Sequence, residues 1–78
     1  MSHDHFFKDV SHLQKIDVYR VIDLFDVKHA CLQHAIKKLL CAGLRGQKDQ
    51  KRDVNEAIDS LNRYLQMSAE DAHNTNNT

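Results

Sequence analysis

The chain has 78 residues, of which 41% are hydrophobic and 28% charged, with no Pro, no Trp, two Gly and a formal net charge of zero. That length admits one domain, and a chain so short buries only about 60% of its unfolded surface, so folds of this size usually lean on a disulfide, a metal or a partner subunit. No run of about 18 apolar residues exists, which excludes a membrane-spanning helix, and "MSHDHFFKDV" has no basic start followed by an apolar core, so it does not read as a secretory signal.

Residues 1–16 show no clean period. Phe6, Phe7, Val10, Leu13 and Ile16 are spaced to cover a core as a short helix or as a docked N-terminal arm. Residues 17–25, "DVYRVIDLF", read as a helix. Asp17 is placed to cap it, and Val18, Val21, Ile22 and Phe25 share one face. The β-branched run from Val18 to Ile22 leaves a strand as the alternative. "DVKH" breaks the period, with Asp26 a candidate cap for the next helix.

Residues 28–42 carry the clearest helical pattern. Leu32, Ala35, Ile36, Leu39 and Leu40 form an apolar stripe, and Gln33, His34, Lys37, Lys38 and Cys41 lie off it. Gly43 follows as a C-terminal cap, and Lys37 and Lys38 suit the negative end of the helix dipole. "LRGQKD" is a loop. The last helix is expected over about 49–67, with a stripe of Val54, Ala57, Ile58, Leu61 and Leu65. The polar, aperiodic tail 68–78 is expected to be disordered. The expectation is therefore an all-α fold: an arm (1–16), a helical hairpin or three-helix domain (17–67) and a tail. A hairpin with one apolar stripe per helix leaves apolar surface uncovered, so a homo-oligomer is expected.

Cys31 and Cys41 fall on one helix, ~15 Å apart along its axis. That is too far for a disulfide within the chain. Free thiols fit a reducing, cytoplasmic compartment.

Zero net charge hides an asymmetry. Between Lys28 and Arg52 there are seven basic residues and one acid, Asp49, so this segment carries +6 and the remainder −6. Lys37, Lys38, Arg45 and Lys48 gather where one helix ends and the next begins. The free N–H groups and positive dipole end of the second helix attract anions, Arg grips phosphate bidentately and Lys acts as a point charge. His34, one turn before the lysines, is a further ligand candidate. The competing reading is a solvated basic face paired in part with Asp49, Asp53 or Glu56. A P-loop is excluded, because "GLRGQK" has the wrong spacing and no hydroxyl.

The same stretch resembles a known family. "HAIKKLLCAG" followed by "DVNEAIDSL" is similar to the small helical domain of bacteriophages related to a phage nucleotide kinase. Its pattern runs Asn-Ala-Ile-Lys-Tyr-Ile-x-Arg-Ala-Gly, then a basic loop, then Asp-Leu-x-Lys-Ala-x-x-Tyr-Leu. Ala35, Ile36, Lys37, Ala42, Gly43, Lys48, Asp53, Ala57 and Leu61 fit that pattern. His34, Lys38, Cys41 and Glu56 stand where the family has Asn, Tyr, Arg and Lys. The resemblance covers about 17–65. It implies a phage origin, the host bacterial cytoplasm and a helical fold, while the departures argue against assuming kinase activity.

Other chemistries fit less well. Nucleic-acid binding lacks aromatic residues interleaved with the cations, and the helix after the loop is acidic where a recognition helix would face DNA. The six His and two Cys show no zinc spacing. Asp49, Asp53 and Glu56 share a face, but the preceding helix offers lysines and no second set of acids for a catalytic magnesium. Capping and pairing to Lys37 or Arg52 account for them more simply. No catalytic residue, metal or cofactor is expected. The expected function is non-catalytic binding of a phosphate-bearing small molecule, a nucleotide foremost, through Lys37, Lys38, Arg45, Lys48 and His34, with sequestration of a host nucleotide signal as its purpose. The alternative is a small phage module that docks on and modulates a host protein.

Overall fold

A computed structural model describes residues 4–44 and 46–76. Arg45 and the side chain of Lys48, both assigned to the ligand site from sequence, lie outside the described residues. Among the described residues, three α-helices follow a 3-10 turn at Asp4–Phe6: α1 (Val18–Leu24), α2 (Ala30–Leu40) and α3 (Gln47–Asn76). Among the described residues there is no strand, so Val18–Ile22 is helical. None of the described helices is long and apolar enough to cross a membrane.

Asp17 caps α1 as its position predicts: its Oδ1 accepts from the Arg20 N–H at 2.9 Å. Asp26 does not cap α2. It adopts φ 56°, a left-handed conformation that Asp tolerates better than most residues, and its carboxylate lies 3.6 Å from Lys28 Nζ. The cap of α2 is His29, whose Nδ1 accepts from the Cys31 N–H at 3.1 Å. The helix therefore begins two residues later than the periodicity suggests. It ends at Leu40, and the chain turns through Gly43 at φ 81°.

α2 and α3 run antiparallel. His29 and Tyr64 meet edge to face at 4.8 Å between ring centroids, Cys31 Sγ lies 4.0 Å from Met67 Sδ, and Lys38 reaches Asp53 and Glu56. This register sets Ala35 level with Ala57. Both are buried, and two residues this small let the helix backbones approach closely. On its other flank α2 receives α1 through buried Ile22, and Gln33 donates to the Val27 carbonyl at 2.7 Å, tying down the connection.

Among the described residues, Ile22, Ala35 and Ala57 are the buried apolar ones, joined by the carboxylate-bearing Asp53. The radius of gyration is 16.0 Å, against about 11.5 Å expected for a compact chain of this length. Much of the excess comes from α3, which runs through Asn76 where the polar composition predicts no regular structure. Past Met67 it outreaches α2. Its Met, Ala and Glu residues are good helix formers, and Arg63 supports the segment by pairing with Glu70 at 2.9 Å.

Candidate functional site

His34, Lys37 and Lys38 lie on the stretch of α2 that leads into the turn. They line one groove of about 400 Å³ with Cys41, Leu44 and Asp53. Three of the five residues assigned from sequence are thus brought together, and Arg45 and the Lys48 side chain are outside the described residues. The groove joins cations to an apolar edge, Leu44, whose side chain is largely exposed in the turn.

The two lysines have different surroundings. Lys38 Nζ is 2.9 Å from Glu56 Oε1 and 3.9 Å from Asp53 Oδ1. Asp53 is 4% exposed, so its carboxylate needs a cation beside it to be tolerated there. Hydrogen bonding to Lys38 holds the Glu56 carboxyl below its ordinary pKa. Desolvation acts in the opposite sense, and the charges of Lys38, Arg52 and His34 add to the lowering. Lys38 is therefore the cation of an internal cluster with Asp53 and Glu56 of α3.

Lys37 is exposed, and its Nζ stands 5.3 Å from the centroid of the Tyr19 ring on α1. A cation over an aromatic face keeps its charge and most of its hydration, so Lys37 can still meet an anion. The Tyr19 contact crosses two helices and leaves no mark in sequence spacing. Leu44 was also missed, because a lone Leu between a glycine and an arginine belongs to no period.

A larger groove of about 470 Å³ runs between α1 and α2, lined by Tyr19, Asp23, Asp26, Lys28, Gln33 and Lys37 among others. Asp23 and Asp26 place negative charge there, which suits an anion poorly. His29 caps α2 through its Nδ1, and Cys31 packs beside Met67. Among the described residues no group of three His, Cys, Asp or Glu side chains is placed to hold a metal ion.

The fold and groove define a small all-α protein with a cationic, partly apolar cleft at its helix break. No family model, curated protein or solved structure matches the chain. The resemblance to the phage domain rests on the quoted residues. Two departures from its pattern, Lys38 and Glu56, are the two residues that meet in the ion pair.

Proposed function

We propose that the protein binds a phosphate-bearing small molecule, a nucleotide foremost, in the groove at the end of α2, without converting it. The observation that carries this reading is the convergence of His34 and Lys37 with Leu44 in one groove. A nucleotide offers an anion and a flat apolar base, and this groove offers a partner for each. Lys38 contributes mainly by neutralising Asp53 and Glu56, which would otherwise repel phosphate. Binding without turnover suits sequestration, and the resemblance to a phage domain supports a host nucleotide signal as the target, met in the host cytoplasm.

Thermal shift at low salt with a panel of mono-, di- and cyclic nucleotides tests the reading, because a ligand that binds only the folded state raises the melting temperature. Lys37→Ala should abolish the shift and leave the unliganded melt unchanged. Absence of a shift with every nucleotide would sink the proposal.

A second reading, docking on a host protein, is favoured by Phe6 and Phe7, which stand 61% and 74% exposed on the arm. Their joint replacement by Ala should release any host protein that co-purifies while leaving nucleotide shifts intact. Retention of that host protein by the double variant would count against the arm.

A further inference from the structure

We infer that one face of the α2–α3 hairpin is a two-fold interface with a second copy of this chain, in which α3 packs antiparallel against its counterpart.

The chain exposes 6629 Å². A compact protein of 9.0 kDa exposes about 4,850 Å². The excess, roughly 1,800 Å², is about twice the ~800 Å² per partner that a standard stable interface buries.

That excess includes an ordered apolar stripe. Val54, Ile58, Leu61 and Leu65 of α3 are all exposed, Leu65 at 62%. Their spacing of four, three and four residues is that of a coiled-coil seam. The line along which α3 meets α2 passes through Asp53, Ala57 and Tyr64, about 100° around the helix from the seam. On α2 the line of contact passes through Cys31, Ala35 and Lys38. The stripe Leu32, Ile36 and Leu39 is again about 100° away, in the same rotational sense. In an antiparallel pair, equal rotations of the same sense bring both stripes to one side of the hairpin. Leu39, 52% exposed, therefore extends the α3 seam into a continuous apolar face. His34, Lys37 and Cys41 rotate the other way, so the ligand groove lies on the opposite side and stays open when this face is covered.

The sequence of α3 favours a second copy as the occupant, and the antiparallel orientation. Asn55 and Asn62 border the seam and bring no charge to it. With the seam centred between Asp59 and Ser60, an antiparallel mate sets Lys51, which borders the seam, beside the uncharged Ser68 of the other copy. A parallel mate would stack Lys51 on Lys51. Antiparallel pairing also lays the start of one α3 alongside the end of the other, which extends beyond α2. The interface is isologous and closes on itself. It stands independently of the ligand groove.

Two measurements test it. Light scattering on the eluting wild-type protein should give about 18 kDa, twice the 9.0 kDa chain, or a higher even multiple. A mass of one chain, or an odd multiple, overturns the proposal. A nitroxide on Lys51→Cys, in a Cys31→Ser, Cys41→Ser background, reads the orientation by pulsed dipolar spectroscopy. An antiparallel pair separates the two labels by roughly 25 Å along the axis, at ~1.5 Å per residue. A parallel pair holds them within about the 8–10 Å of one interhelix spacing, apart from the label arms, and that result also overturns it. Ile58→Glu should give the single-chain mass with its helix content retained. An unchanged mass for that variant would remove the seam from the interface.

Discussion

Replacing Ala57 with Leu tests the central packing claim. Ala57 is 1% exposed on α3 and Ala35 2% exposed on α2, and the neighbouring pairs His29–Tyr64 and Lys38–Glu56 set them level. A Leu side chain has no room in such an approach, so the helices must part or the side chain must leave its preferred rotamer. Overpacking of this kind typically costs about 1–3 kcal/mol. A chain of this length is held by about 4–12 kcal/mol in all, so the cost is a sizeable fraction of the stability. Far-UV circular dichroism on heating, at one fixed protein concentration, should show the midpoint falling by roughly 5–20 °C. A midpoint within about 2 °C of wild type, less than ~0.5 kcal/mol by the same conversion, would refute the close α2–α3 approach.

Gly43 stands at φ 81°, and a Cβ there would meet the Gln50 Cβ at 3.2 Å. Gly43→Ala should therefore cost about 1–2 kcal/mol from the left-handed backbone alone, lowering the midpoint by roughly 4–15 °C, while Gly43→Asn should lose less. Glu56 titrates below its ordinary value of 4.5 because Lys38 favours the charged form. Its contribution to stability is complete above that value and is lost as pH falls through the lowered folded pKa. Glu56→Gln should then lower the midpoint at neutral pH and flatten its decline in acid, as followed by melts across a pH series; equal slopes for both proteins would contradict the assignment.

The parts of the fold that sequence foretells are those set by neighbouring residues. Asp17 caps α1 because its carboxylate reaches an N–H three residues on, and Gly43 takes the left-handed turn that other residues resist. Periodicity alone places the apolar stripes of α2 and α3. Other features were not legible. His29 caps α2, although Asp is the stronger capping type, because Asp26 is occupied in a left-handed turn three residues earlier. The tail stays helical to Asn76 with no apolar period to signal it. At the site, clustering on one helix end anticipated that His34, Lys37 and Lys38 would share a groove. It could not assign Asp53 and Glu56 to Lys38 or Tyr19 to Lys37, because those partners come from other helices and their pairing depends on how the helices pack.

The Lys38–Glu56 pair also separates a structural use of charge from a ligand-binding one. Both residues depart from the phage pattern, which has Tyr and Lys at these places, and here they stand 2.9 Å apart beside buried Asp53. If the departures compensate, Lys38→Tyr alone removes the cation from two carboxylates. Glu56→Lys alone brings two ammonium groups together. The double variant restores one cation near Asp53, now from α3. Thermal melts of the four proteins form a double-mutant cycle. Each single variant should melt below wild type, and the double variant should lose less than the two losses combined. Strict additivity would mean the two side chains do not act as a pair, and Lys38 would return to the set of cations open to a ligand. Coupling would leave Lys37 and His34 as the described groups of the groove open to the proposed ligand, and would explain how a neutral chain concentrates positive charge at one helix break while answering part of it with its own acids.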